Sequence, residues 1–159
     1  MPPTKNIEEV LKETKIHQIL RPKLLMTLPT ATLQETVDLM RVERSGYMVI
    51  ADEHPKLVGI LTEREVLMNA LKKGVVWTEP VSQFMRTDLH TLKKSDTVGD
   101  ALGMMSKFSV RHVPLVDEYG QVNGILSIRT IVTFLAELFP KEVLNLPPRP
   151  QIHETAEGG

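Results

Sequence analysis

Apolar positions along the chain fall into two patterns: short consecutive runs, and longer stretches in which they recur three and four residues apart. The runs at 47–51 and 57–61 predict buried strands, joined by a turn at Asp52-Glu53-His54-Pro55. Helical spacing of Leu33, Val37 and Met40, opened by Thr32 with Glu35 three residues on, predicts a capped helix over 32–44. A second helix follows Thr62 and runs to Lys73, with Gly74 as its stop. Upstream, residues 6–15 read as a short amphipathic helix lying across the outside of the fold, with Asn6 as cap and Ile7, Val10 and Leu11 on one face. Residues 16–28 read as extended and apolar, with Pro22 and Pro29 marking turns.

The same pattern then returns. Gly59-Ile60-Leu61-Thr62-Glu63-Arg64 reappears as Gly124-Ile125-Leu126-Ser127-Ile128-Arg129 at an offset of 65 residues. That offset carries Arg21 onto Arg86, Leu24 onto Leu89, Thr32 onto Thr97, Met40 onto Met105 and Asp52 onto Asp117, without insertion or deletion. The period is longer than the roughly 20 to 50 residues of solenoid repeats, so the chain reads as a duplicated small domain. Each copy is strand, helix, strand, strand, helix, an α/β (α+β) unit near the lower size limit for independent stability, and the two are expected to fold against each other. The division is an N-terminal arm at 1–15, repeats at 16–78 and 79–139, and a tail at 140–159. Residues 75–79 form a linker, and 78–80 open a short helix running to Met85. Pro140 is expected to stop the last helix. Pro147-Pro148-Arg149-Pro150 favours extended polyproline structure, and the polar end at 151–159 is expected to be disordered unless a partner holds it.

Composition narrows the function. With 159 residues, 42% of them hydrophobic, the chain can bury a core; with 19 basic and 20 acidic residues and no basic cluster, nucleic-acid and membrane surfaces are not indicated. No cysteine is present, which excludes disulfides, thiolate catalysis and cysteine-type zinc sites. No stretch approaches a membrane span, and a soluble cytoplasmic protein is expected. The five histidines never fall at the i, i+4 spacing of a helical metal pair, so no metal is expected. No phosphate-loop, dinucleotide or nucleophile-elbow motif occurs, and Ser127 has no general base at fixed spacing, so the chain is not expected to be an enzyme.

The chemistry concentrates where each strand turns into its helix. Thr62 and Ser127 are good N-caps, and a strand feeding a helix N-terminus leaves free backbone N–H groups suited to anions and polar ligands. Two equivalent candidate sites follow. Thr62-x-x-Glu65 reads as a capping box that needs no ligand, whereas at Ser127 the third residue on is Thr130 and the box lacks its second half. Arg111 and His112 stand together at a strand mouth, able to meet phosphate or simply to lie exposed and hydrogen-bonded; the first repeat offers Ser45-Gly46 at the equivalent place. Arg64 and Arg129 sit in first helical turns, where a cation is mildly unfavourable unless a nearby acid or a ligand pairs with it. Tyr47 can lie against a base or belong to the core. Met40, Met104 and Met105 are read as core filling.

Taken in order and twice at constant spacing, these elements resemble a tandem pair of cystathionine-β-synthase-like (CBS) domains, the arrangement called a Bateman module. The carriers are the two Gly-Ile-Leu-Thr/Ser-x-Arg stretches, residues 47–52 and 111–117, and Leu20-Arg21-Pro22 and Met85-Arg86-Thr87; the likeness spans 16–138. The resemblance implies two repeats related by a pseudo-twofold axis, and homodimers formed through helices. It also implies a regulatory role in which an adenine nucleotide (AMP, ADP or ATP) or another adenosyl ligand binds between the repeats, with no obligatory cofactor. One cleft would use Leu24, Leu25, Met26, Gly46, Tyr47, Arg111, His112, Ser127, Arg129 and Thr130; its mate would use Leu89, His90, Thr91, Arg111, Thr62, Arg64 and Glu65. The family's pattern has Asp at the third position after Thr/Ser, accepting from both ribose hydroxyls, where this chain has Glu65 and Thr130. Replacing a charged acceptor by Thr costs on the order of 1 kcal/mol. Basic residues near Ser127 favour that cleft for phosphate. A ligand-free dimerisation or scaffolding module is the alternative; the regulatory reading brings with it a possible regulated partner protein.

Overall fold

The computed structural model describes residues 5–72 and 74–144. In chain order these form α1 (Ile7–Glu13), α2 (Ile16–Ile19), β1 (Met26–Thr27), α3 (Leu33–Val42), β2 (Tyr47–Ala51), β3 (Leu57–Thr62) and α4 (Glu63–Ala70). A 3-10 turn at Val81–Gln83 precedes α5 (Val98–Phe108), β4 (His112–Val116), β5 (Val122–Ser127), α6 (Ile128–Leu138) and α7 (Pro140–Leu144). One sheet has the order β1-β2-β3, with β1 parallel and β3 antiparallel to β2; the other is the antiparallel pair β4-β5. The counterpart of β1 in the second repeat is reduced to a parallel bridge between Leu92 and Leu115. The predicted hairpins and long helices are present, and α4 ends at Ala70, short of the expected Lys73, which lies outside the described residues.

Helix starts follow the local chemistry. Asn6 accepts from the Glu9 N–H at 2.8 Å, Thr32 from Glu35 at 3.0 Å, Thr97 from Asp100 at 3.0 Å and Ser127 from Thr130 at 3.2 Å. The C-termini of α3 and α5 repeat one another, each followed by a non-glycine residue in the left-handed region: Arg44 at φ 52° and Ser109 at φ 54°.

Each sheet is covered on both faces. Met48 and Ile50 of β2 and Leu61 of β3 join Leu33 and Met40 of α3 in one core. Val113 and Leu115 of β4 and Leu126 of β5 join Val98, Ala101 and Met105 of α5 and Ile131 of α6 in another. Because side chains alternate along a strand, the intervening residues Val49, Ala51, Ile60 and Ile125 face the opposite way, and a register shift beside Val122 turns that residue to the same side. They form a third core where the two sheets meet, flanked by the equivalent residues Leu24 and Leu89.

Residues 16–28 are not extended throughout. Ile16–Ile19 forms one helical turn, because the Lys15 N–H is taken by the Gln18 side chain at 2.7 Å and Ile16 is buried in the second repeat's core. The Ile16 N–H donates to Asp96 and the Val98 N–H to Thr14, each at 2.9 Å. Symmetrically, Val81 is buried in the first repeat's core, its N–H donating to Ala31 at 2.7 Å and the Leu33 N–H donating to Glu79 at 2.9 Å. Each lead-in segment is therefore packed into the other repeat. This crossing also explains two glycines: a Cβ on Gly59 would stand 2.5 Å from Met85 Sδ, and one on its counterpart Gly124 would stand 3.0 Å from Leu20 Cδ2.

The last helix of the second repeat, α6, stops at Leu138 as expected, but Pro140 also opens a further short helix. The proline occupies the first position of α7, where a missing N–H costs nothing, after Phe139 has closed α6. The polyproline and disorder expectations for 147–150 and 151–159 lie outside the described residues. No helix among the described residues is long and apolar enough to cross a membrane.

Candidate functional site

A cavity of about 380 Å³ opens where the β3-to-α4 corner faces the α5-to-β4 loop. From the first repeat it is lined by Gly46, Thr62, Glu63 and Arg64; from the second, by Arg86 and residues 109–112. Thr62 and Arg64 were expected in one cleft and Gly46 and His112 in its mate, with Arg111 in both. The structure brings all five to this cavity. Three guanidinium groups line it against one carboxylate, beside the N-terminus of α4, so its field is positive. Among the described residues neither Arg64 nor Arg111 forms an ion pair, which removes the acid pairing considered for Arg64.

Arg86 is not among the residues expected at either cleft, although Arg21 and Arg86 are a repeated pair. Its backbone is locked to the edge of β3 by two hydrogen bonds, Ile60 N–H to Arg86 O at 3.0 Å and Arg86 N–H to Ile60 O at 2.9 Å. That edge pairing, which local pattern does not reveal, carries the side chain to the cavity. Its Nε is buried and has no hydrogen-bond partner among the described residues; Asp88, on an exposed side chain, forms a long ion pair with it at 3.8 Å. A buried donor left unpaired costs about 1–3 kcal/mol.

Glu63 and Gly46 are joined at the cavity wall. The Glu63 N–H donates to Gly46 O at 3.1 Å, and a Cβ on residue 46 would lie 2.7 Å from Glu63 Oε1. Gly46 thus leaves room for that carboxylate.

Two sequence readings need correction. Thr62 does not accept from the backbone of its helix; instead its hydroxyl donates to Glu65 Oε2, so the expected capping box is replaced by a side-chain pair. Glu65 Oε1 is buried without a hydrogen-bond partner among the described residues. The strand register, with Tyr47 opposite Thr62 and His112 opposite Ser127, makes Gly46 and Tyr47 the counterparts of Arg111 and His112, one residue on from the Ser45-Gly46 read from sequence.

His112 is half-buried at the cavity wall and packs against Tyr47. Burial lowers its pKa, and the positive charges of Arg111 and Arg86 lower it further, so it is neutral at neutral pH and adds no charge to the site. Tyr47 accepts from the Leu25 N–H at 3.3 Å and flanks the inter-sheet core; burial raises its pKa.

The remaining expected residues lie elsewhere. Leu24 and Leu89 pack in the inter-sheet core, Leu25 packs against the first repeat's core, and Met26 is on β1. At the second corner Ser127 caps α6 and its hydroxyl meets that of Thr130 at 3.1 Å, while Arg129 is exposed; none of the three lines the cavity. His90 stacks on Phe108 with centroids 3.4 Å apart, and the half-buried Thr91 is likewise outside the lining. No cluster of potential metal ligands occurs among the described residues.

Two crossed repeats enclosing a polar, cationic cleft define a tandem-repeat module. The sequence pattern of the CBS domain matches twice, at residues 16–72 and 81–137, and the chain belongs to that family. An uncharacterized 17.7 kDa protein of Acidianus ambivalens is 30% identical over 125 residues, covering 79% of this chain and 75% of its own. Inosine-5'-monophosphate dehydrogenase of Aquifex aeolicus is also 30% identical, over 83% of this chain but only 26% of the enzyme. Among solved structures, the CBS domain pair of protein MJ0100 with 5'-methylthioadenosine and S-adenosyl-L-methionine superposes with a TM-score of 0.71 at 24% identity, over 77% of this chain and 99% of that one. A Pyrobaculum aerophilum CBS domain protein complexed with AMP gives a TM-score of 0.70 at 24% identity, over 78% and 97% of the two chains. These likenesses establish the fold.

Proposed function

We propose that this chain is a regulatory module of the cytoplasm that binds an adenine nucleotide in the cleft between Thr62 and Arg111 and passes the resulting change in repeat packing to a partner protein. The observation that carries this is the convergence of Arg64, Arg86 and Arg111, drawn from three separate segments, on one cavity at a helix N-terminus. Arg64 belongs to the first repeat and the other two to the second, so an anion held by all three ties the repeats together. A ligand biases such a module only as far as it binds one packing more tightly than another. Adenosyl ligands in the related structures, AMP among them, support the choice of nucleotide.

We place the phosphate at the Thr62 corner and not at Ser127, because Arg111 and His112 line the former cavity. A homodimer is part of the proposal: Leu67, Met68 and Leu71 at the end of α4 are 61%, 57% and 76% exposed and supply an apolar face suited to a second copy. Calorimetric titration with AMP, ADP, ATP and S-adenosyl-L-methionine tests the ligand, and sedimentation tests the dimer. Heat and a raised melting temperature with at least one nucleotide are expected. Silence towards all four, in a sample that sediments as a dimer, returns the module to scaffolding alone.

A further inference from the structure

We infer that Arg86 makes this cavity selective for a chain of two or more phosphates and closes it to adenosyl ligands that carry a sulfonium. The inference rests on the nucleotide reading above for the adenosine part of the ligand; the preference for a condensed anion stands on the cavity alone.

Arg64 and Arg111 both lie beside the Thr62 corner, and together with the α4 N-terminus they match the charge of about −1.5 to −2 on one phosphate monoester. Glu63 offsets part of that positive field. Arg86 adds a third cation from a different segment; its own ion pair, with the exposed Asp88 at 3.8 Å, offsets that charge until a second phosphate takes the place of Asp88. The Arg86 backbone is fixed by the two hydrogen bonds to Ile60 and by the close approach of Met85 to Gly59, so the side chain starts from a defined point at the cavity. Among the described residues its Nε has no hydrogen-bond partner, and the exposed Asp88 forms only a long ion pair with it at 3.8 Å. A phosphoryl oxygen is an acceptor of the required charge, and guanidinium groups bind such oxygens through paired N–H donors. A sulfonium, being cationic, meets three guanidinium groups with one carboxylate among them.

The test is calorimetric titration of the intact chain and of Arg86→Gln with inorganic pyrophosphate, ADP, AMP and S-adenosyl-L-methionine. In the unaltered protein ADP binds more tightly than AMP, pyrophosphate binds, and the sulfonium compound gives no heat. Arg86→Gln weakens ADP and pyrophosphate about tenfold or more while AMP changes less. Arg86→Lys, which keeps the charge and loses the paired donors, recovers part of the ADP affinity and serves if Arg86→Gln does not fold. Pyrophosphate binding without any response to nucleotides sinks the nucleotide reading and leaves the anion assignment standing. Binding of S-adenosyl-L-methionine as tight as ADP, or ADP affinity unaltered in Arg86→Gln, overturns the inference.

Discussion

The rings of Tyr47 and His112 meet with centroids 5.3 Å apart and planes inclined at 44°. The two residues are separated by 65 positions, the offset of the internal repeat, so equivalent side chains touch where the two sheets face each other. The backbone is symmetric there and the chemistry is not. Tyr47 engages the Leu25 N–H through its hydroxyl, whereas His112 stands at the wall of the cationic cavity. The pseudo-twofold relationship is broken at the contact between its own counterparts, and that contact adjoins the proposed ligand.

His112 gives the fold a dependence on pH. Its folded pKa is depressed below the ordinary 6.5 by burial and by Arg111 and Arg86. Between the two values the unfolded chain holds more protons than the folded one, so this contribution is fully present above the unfolded pKa and is lost as pH falls through 6.5 towards the folded value. Urea midpoints measured for the protein and for His112→Gln between about pH 8 and pH 5 should converge towards the acid end. The other histidines are common to both proteins and cancel in the difference. Parallel curves across that range refute the assignment.

Gly59→Ala should destabilise the fold by about 1–3 kcal/mol. The new methyl would lie 2.5 Å from Met85 Sδ and 3.0 Å from Arg86 O; the thioether can turn away, but that carbonyl is held by Ile60. Relief of the contact would displace Arg86 as well, so nucleotide affinity falls along with the denaturation midpoint. An unchanged midpoint would mean that the lead-in segment of the second repeat does not press against β3 as described.

Arg111→Ala should weaken phosphorylated ligands while sparing adenosine. Loss of a charge-assisted hydrogen bond of about 1.5–3 kcal/mol corresponds to roughly a ten- to hundredfold rise in Kd. Titration with AMP and adenosine reads the difference, and equal AMP affinity before and after the change would exclude Arg111 from phosphate binding.

Arg44→Gly should raise stability by about 0.5–1 kcal/mol. Arg44 is exposed and held at φ 52°, a conformation that glycine adopts without a Cβ penalty. Its counterpart Ser109, at φ 54°, lines the cavity, which makes Arg44 the better choice for separating backbone strain from ligand binding. A thermal melt that moves downward contradicts this account of the α3 terminus.

Several features were legible without coordinates because they depend on near neighbours. The caps at Asn6, Thr32 and Ser127 each join a side chain to a backbone group three residues on, and they form as the sequence predicts. The apolar run Met48-Val49-Ile50-Ala51, all buried, signals a strand covered on both faces, which is how β2 sits. Thr62-x-x-Glu65 shows where that logic stops: the same spacing that permits a capping box also permits the hydroxyl to donate to the carboxylate, and the second arrangement is the one formed.

The internal duplication, the β-to-α corners and the residue types able to meet an anion were written in the order of the residues, since strand and helix periodicity and N-capping act over a few positions. The tertiary structure alone decided that Ile16 and Val81 each lie in the other repeat's core, and that Arg86 joins Arg64 and Arg111 at one cavity. Those outcomes depend on hydrogen bonds and buried surface between segments remote in the chain, such as Ile60 with Arg86, and chain order carries no record of which remote partners give the lowest free energy.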